Sequence, residues 1–340
     1  MLCDDQRLHD LKTWLEPQLP ALCQAQGWPW PVAGSWQPAS SDASFRRYFR
    51  RTLGEHSLIL MDAPPPRENC APFVRIAGLL ARAGVRVPEI LATDIPRGFL
   101  VLSDLGSQTF LEVISARNAD ELFGQAIRAL VKLQQIPAET AALPAYDDVV
   151  LDRELQLFPE WYVQQHLGLS LDARQQQLWN DSCRLLLEAA LAQPQVFVHR
   201  DYMPRNLMAG AVVPGVLDFQ DALWGPVTYD ITSLFKDAFV SWPEERVRHW
   251  QQQYWQQARL AGIPVPDDFA AFCRDSDLMG VQRHLKVIGI FARICHRDGK
   301  PRYLADVPRF FGYLHGVLAR RPELAPLACL LDSLPLEDRA

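Results

Sequence analysis

Residues Val196 to Ala222 read VFVHRDYMPRNLMAGAVVPGVLDFQDA. Two apolar runs, one leading into His199-Arg200-Asp201 and one ending at Asp218, flank a polar turn that carries Asn206 five residues after Asp201. Short apolar runs bounded by turn residues read as strands. The stretch therefore predicts strand, turn, strand, with two carboxylates and one amide delivered to a common edge.

That combination has a definite chemistry. Phosphoryl transfer from ATP needs Mg²⁺ across phosphate oxygens, and a group that orients the attacking hydroxyl and takes its proton. Mg²⁺ is hard and prefers oxygen ligands. Asn206 and Asp218 supply such oxygens, and Asp201 supplies the base. No His/Cys pair stands at zinc spacing, so the donor set favours Mg²⁺ over Zn²⁺.

Working outward, the N-terminal side reads as a small α+β unit. Leu8, Leu11, Leu15, Leu19 and Leu22 recur at helical spacing and predict one amphipathic helix over about 4–24. The stretch GWPWPVAGSWQPASS, with Trp28, Trp30 and Trp36, reads as turns that cap a small core. SFRRYFRRTL and SLILMDA read as strands joined by a turn at Gly54, APFVRIAGLLARAG as a helix closed by Gly84, and VRVPEILATD and RGFLVLSDLG as further strands. After Asp104 long helical patterns dominate, at ADELFGQAIRALVKLQQI, ARQQQLWNDSCRLLLEAALAQ, EERVRHWQQQYWQQARLAG and most of 277–318. The expected architecture is α+β and bilobal. Residues 1–103 form a small lobe on an antiparallel sheet; residues 104–340 form a larger, mainly helical lobe that holds the catalytic and metal loops.

The segment HRDYMPRN, followed by LDFQDA, resembles the catalytic and metal loops of the protein-kinase-like superfamily. Gln220 stands where a protein kinase has glycine, the interval between the motifs is short, and GPVTYDITSLF follows. Those departures point to the aminoglycoside phosphotransferase and choline kinase branch, whose members phosphorylate small molecules. The resemblance runs from about 40 to 237. It implies a protein-kinase-like fold, Asp201 as the catalytic residue, and Asn206 and Asp218 as Mg²⁺ ligands. His199 and Asp230 are expected to support the catalytic loop, Asp230 through backbone N–H groups.

The same resemblance implies an ATP-binding first lobe with a phosphate-covering hairpin and a strand lysine. Here PASSDASFRRYFR has no glycine, and Lys12 is the one lysine of residues 1–103. Small residues such as Ser44 still let backbone N–H groups approach a phosphate. Arginines of the hairpin, Arg46 and Arg50, are expected to replace the lysine, since guanidinium binds phosphate bidentately. With both on one strand face, that face is expected to be basic. Leu102, Asp104 and Leu105 match the segment that holds adenine.

The acceptor is less legible. YDDVVLDRELQLFPEWYVQQHLG, Tyr146 to Gly168, offers Arg153, Glu154 and Trp161, a mixture that suits a sugar; core packing of Leu155 and Phe158 reads equally well from the spacing. Arg283, Lys286, Arg293 and Lys300 lie in a basic, aromatic stretch suited to an anionic acceptor, and Asp221 follows the metal loop closely. SSDASFRRYFR, LMDAPP, LQLFPEWY and GIFARICHRDGK together resemble the bacterial anomeric amino-sugar kinases of cell-wall recycling. That implies phosphorylation of the C1 hydroxyl of N-acetylmuramate or N-acetylglucosamine. Kinases of aminoglycosides, choline, homoserine or ketoamines, and a nucleotide-binding protein without turnover, remain the alternatives.

Composition excludes several classes. A net charge of −6 opposes a general nucleic-acid binder. No apolar run reaches membrane-spanning length, and the polar N-terminus has no signal-peptide core. Seven cysteines, an odd number without metal spacing, read as thiols in a reducing compartment. A cytoplasmic monomer is expected, with ATP and a small molecule as its partners.

Overall fold

The computed structural model describes residues 5–30, 33–40, 45–65, 67–210 and 213–336. The chain divides into two compact units, Met1–Thr109 with Leu207–Asp221, and Phe110–Asn206 with Ala222–Ala340. The segment that ends in Asp218, expected in the helical part, thus groups with the first unit. Two long-range backbone bonds account for it: Ala209 N–H donates to Gln108 O and Val216 N–H to Arg86 O, both at 2.8 Å.

The first unit is built on five antiparallel strands: β1 (Trp36–Ser40), β2 (Arg47–Leu53), β3 (His56–Asp62), β4 (Ile90–Asp94) and β5 (Phe99–Ser103), in the order β1-β2-β3-β5-β4. The β2–β3 hairpin closes at Leu53↔His56, with Gly54 at φ 62°, a left-handed turn position that favours glycine. β1 is the element the sequence hides. Pro38 lacks an N–H and reads as a strand breaker, but an edge strand tolerates it.

The single N-terminal helix expected from leucine spacing is two helices, Gln6–Leu15 and Leu19–Gln26, joined by a 3₁₀ turn at Glu16–Gln18 that contains Pro17. The leucine face survives the break. Leu8, Leu11, Leu15 and Leu19 are buried with Leu58, Leu60, Phe99 and Val101 of the sheet. Trp28 stacks flat on His56, and Trp36 packs at the rim of the same core. The helix Ala71–Arg82 is followed by Gly84 at φ 73°.

In the second unit the long helices are Ala119–Gln134, Ala173–Leu191, Glu244–Leu260, Phe269–Asp298 and Val307–Leu318. Ala173–Leu191 starts on a capping box, Asp172 with Gln175. The 30-residue helix Phe269–Asp298 runs through the core, burying Leu278, Val281, Leu285 and Ile288 among Phe158, Trp179, Phe310 and Leu314. The segment Phe158–His166 is a π-helix. It lies against the long helix at Gly289, where a Cβ would sit 2.3 Å from the Leu157 carbonyl carbon, so only glycine fits.

The two strand-like runs flanking Asn206 each take a different partner. Gln195–Val198 pairs with Leu223–Pro226, and Leu207–Met208 pairs with Gly215–Val216. Among the described residues, no helix is long and apolar enough to cross a membrane.

Candidate active site

In the second unit, strand Gln195–Val198 delivers His199, and the chain then turns through Arg200 at φ 76°. Such a conformation costs an L-residue roughly 1–2 kcal/mol. Two sets of bonds hold it. The first is Asp230, fully buried at the start of helix Tyr229–Phe235, whose Oδ2 accepts the His199 N–H at 2.7 Å and whose Oδ1 accepts the Arg200 N–H at 3.0 Å. Burial pushes the Asp230 carboxyl up to about 7, against the pull of those two N–H donors.

The second set is made by the Arg200 side chain, whose Nη2 donates to Glu154 Oε1 at 2.5 Å. Glu154 Oε1 also lies 2.9 Å from Lys286 Nζ, while its Oε2 accepts from Gln282 Nε2 at 3.3 Å and from the Tyr146 hydroxyl. Lys286 Nζ donates further to the Tyr229 hydroxyl at 2.9 Å. Burial alone would raise the Glu154 carboxyl; Lys286 and Arg200 outweigh it and lower it to about 2. Glu154 and Lys286, expected at an acceptor pocket, are therefore partners in one buried ionic cluster behind the turn at Arg200. Arg153, one residue away, faces out, and Trp161 packs against the helical core. The trio Arg153, Glu154 and Trp161 does not line one surface.

Asp201 follows directly. Its carboxylate makes no hydrogen bond or ion pair with a described residue, and it is only partly buried. Asn206 ends the 3₁₀ turn Pro204–Asn206, buried, with Nδ2 donating to the Asp201 carbonyl at 2.9 Å. That bond fixes the amide with its Oδ1 unengaged among the described residues. His199 is buried edge-on to Tyr202, whose hydroxyl bonds Ala126 O at 2.8 Å.

In the first unit, Asp218 stands at φ 62° just past Gly215–Val216, with 40% of its side chain exposed. Gln220 Nε2 bridges Asp218 Oδ1, at 2.8 Å, and Asp221 Oδ2, at 3.2 Å. Arg46 Nη1 lies 4.0 Å from Asp218 Oδ1, and Arg46 Nε donates to Glu68 Oε2 at 3.1 Å. Phe219, between the two acids, is buried against Phe73.

The basic face expected on the hairpin is neutralised pair by pair. Arg47 pairs with Asp5 and Asp62, and Arg51 lies 3.9 Å from Glu16. Arg50 is bound to Asp104, Nε to Oδ2 at 2.5 Å and Nη2 to Oδ1 at 3.0 Å, with Ser57 also on Asp104. Arg50 and Asp104 thus engage each other. Leu102 is buried within β5, and Leu105 packs on Gly215. Ser44 lies outside the described residues.

Several residues of these constellations gave no signal in the sequence. Glu68 sits in a loop that reads as a spacer. Gln220 registered only as a departure from glycine, not as the group that holds two carboxylates. Asp237 and Arg205 were unmarked; Arg205 Cζ lies 5.2 Å over the Phe239 ring, and Asp237 is buried nearby in the same unit, its carboxyl pushed up to about 6 by burial against the fields of Arg283, Arg205 and Arg309.

The chain is 62% identical over 334 residues to the N-acetylmuramate/N-acetylglucosamine kinase of Pseudomonas aeruginosa, covering 98% of each. It is also 62% identical over 336 residues to the protein of that name from Pseudomonas putida, covering 99% of each. A choline kinase from Streptococcus pneumoniae superposes with a TM-score of 0.59 at 13% identity, over 90% of this chain and 99% of that one, and shares the expected protein-kinase-like fold. The sequence profile of the phosphotransferase enzyme family matches residues 35–272, most of the chain and both motifs included. This protein belongs to the phosphotransferase enzyme family.

Proposed function

We propose that the chain transfers the γ-phosphate of ATP to the anomeric C1 hydroxyl of N-acetylmuramate and N-acetylglucosamine, giving the sugar 1-phosphate in peptidoglycan recycling. The observation that carries this is the 62% identity, over almost the whole length, to kinases named for those two sugars.

Asp201 orients the C1 hydroxyl and takes its proton as the oxygen attacks the γ-phosphorus. The P–O bond to the β-phosphate breaks and ADP leaves with that electron pair. Asp201 suits the task because no described residue already occupies its carboxylate. Asp230 and Glu154 position it from behind, one through the loop backbone and one through Arg200.

An amide oxygen, Asn206 Oδ1, and a carboxylate, Asp218, are the hard donors Mg²⁺ prefers. They are the residues that would hold the ion, which when bound neutralises charge building on the β- and γ-phosphate oxygens. Gln220 keeps Asp218 and Asp221 in place for that role. Arg46, braced by Glu68 and close to Asp218, stands in for the missing strand lysine toward the phosphates. Arg50 is structural, through Asp104.

The test is phosphorus NMR of the product made from ATP, Mg²⁺ and each sugar. An anomeric phosphate, coupled to H1, is expected. A C6 phosphate, or no transfer to either sugar while another acceptor is used, refutes the reading.

A further inference from the structure

Arg283 has 3% exposure, and its guanidinium makes no hydrogen bond and no ion pair with any described residue. A buried, unpaired cation is costly; the effective penalty is several kcal/mol per ion. Native chains seldom carry that cost without a partner to relieve it. Arg283 lies 5.9 Å over the Tyr229 ring, and one ring face does not replace an anion.

Its surroundings are of one kind. Arg205 sits on the catalytic turn, between Asp201 and Asn206 in sequence, over Phe239. Arg309 reaches in from helix Val307–Leu318, with Nη1 on Ser241 Oγ at 2.6 Å. The fields of all three arginines converge on Asp237. Asp237 Oδ1 accepts the Ala238 N–H at 2.6 Å, while its Oδ2 is buried with no hydrogen-bond partner. Arg283 also acts on buried Asp230, and Arg309 on Asp306; within the cluster Arg283 Nε and Asp237 Oδ2 are the buried atoms left without a hydrogen bond among the described residues.

We infer that Arg283, with Arg205, forms an anion subsite for the acceptor, which binds a carboxylate carried on the sugar, while Asp237 Oδ2 accepts a hydroxyl of the same molecule. A guanidinium takes a carboxylate in two parallel hydrogen bonds. Asp237 argues against a phosphate in this place, since it would repel the double charge. The inference rests on the amino-sugar kinase reading and deepens it. N-acetylmuramate differs from N-acetylglucosamine by a lactyl ether that ends in a carboxylate, so this subsite sets the preference between the two.

The full chain decides it. With the wild type, kcat/KM is measured for N-acetylmuramate, its methyl ester and N-acetylglucosamine. The ester removes the charge and leaves the sugar, and it needs no variant that folds. A loss of about tenfold or more on esterification is expected, as for a charge-assisted hydrogen bond; an ester used as well as the acid overturns the subsite. Arg283→Met and Arg205→Met then locate it. The ratio of kcat/KM for N-acetylmuramate over N-acetylglucosamine should fall about tenfold or more in each. A ratio unchanged in Arg205→Met, at a part-buried side chain, overturns the assignment even if Arg283→Met does not fold. Wild-type enzyme that phosphorylates neither sugar overturns the functional reading and the subsite with it; turnover of both sugars without discrimination overturns the subsite alone.

Discussion

Arg200 Nη2 and Glu154 Oε1 lie 2.5 Å apart across 46 residues of chain, tying the arginine beside Asp201 to a helix that the sequence assigned to the acceptor. Removing the carboxylate would strand the buried Lys286 and the part-buried Arg200. Breaking a buried pair by deleting one partner costs about 3–5 kcal/mol. Glu154→Ala should lose that much in urea unfolding at neutral pH, and turnover should fall because the loop loses its anchor. Unchanged unfolding would contradict the cluster.

The pair also predicts a pH dependence. The Glu154 carboxyl is held at about 2, below its ordinary 4.5, so its contribution is full above 4.5 and is lost as pH falls toward 2. That difference is worth about 3 kcal/mol at 1.36 kcal/mol per unit. Asp230 acts in the opposite sense. Its carboxyl is raised to about 7 from 3.8, so stability declines as pH rises between those values. Unfolding free energies of Glu154→Gln, measured between about pH 5 and pH 2.5, should show a flatter slope than wild type. An identical slope would place the acid-sensitive group elsewhere.

The backbone of Arg200 separates from its side chain by substitution. Arg200→Ala loses the ion pair and keeps the φ of 76°; Arg200→Gly loses the pair and relieves the conformation. The glycine variant should be more stable than the alanine variant by about 1 kcal/mol. Thermal melts of the two proteins give the comparison, and a less stable glycine variant would speak against strain at this residue.

Asp201→Asn should fold as wild type and lose about 10²–10⁴-fold in kcat, the range for a lost general base. Near-normal ADP release would remove Asp201 from the mechanism. Chelation by EDTA should abolish turnover and excess Mg²⁺ restore it. Asn206→Ala should raise the half-saturating Mg²⁺ concentration; a variant with unaltered Mg²⁺ dependence would release Asn206 from its assignment.

Arg46 and Arg50 should part company. Arg46→Met should raise KM for ATP about tenfold or more, as expected for a charge-assisted hydrogen bond to phosphate. Arg50→Met should leave KM for ATP within a few-fold and lower the melting temperature, because Asp104 loses its partner. The opposite pattern would exchange their roles.

The motif from His199 to Asp218 was legible because its parts are contiguous: His199 to Asn206 is one turn, and Asp218 ends the next apolar run. The helical unit was legible by periodicity. What escaped was long-range or polar. Glu154 reads as one acid on an amphipathic helix, and only the fold brings it to Arg200 and Lys286. The arginines of the hairpin looked like a basic face because their acids, Asp5, Glu16, Glu68 and Asp104, lie on other elements. β1 was hidden by Pro38, whose lost donor matters little at an edge. The partners of the two motif strands were not legible, since pairing register is not written in a run of four residues.

The π-helix Phe158–His166 makes this part of the chain sensitive to changes of length. A π turn arises when an α-helix absorbs an extra residue. Gaining or losing one position there rotates everything downstream by about 100° around the helix axis, while Glu154, upstream, keeps its grip on the catalytic loop. A one-residue deletion within 158–166 should therefore turn Trp161, Tyr162 and Val163 off the helical core while leaving the upstream Glu154–Arg200 tie in register.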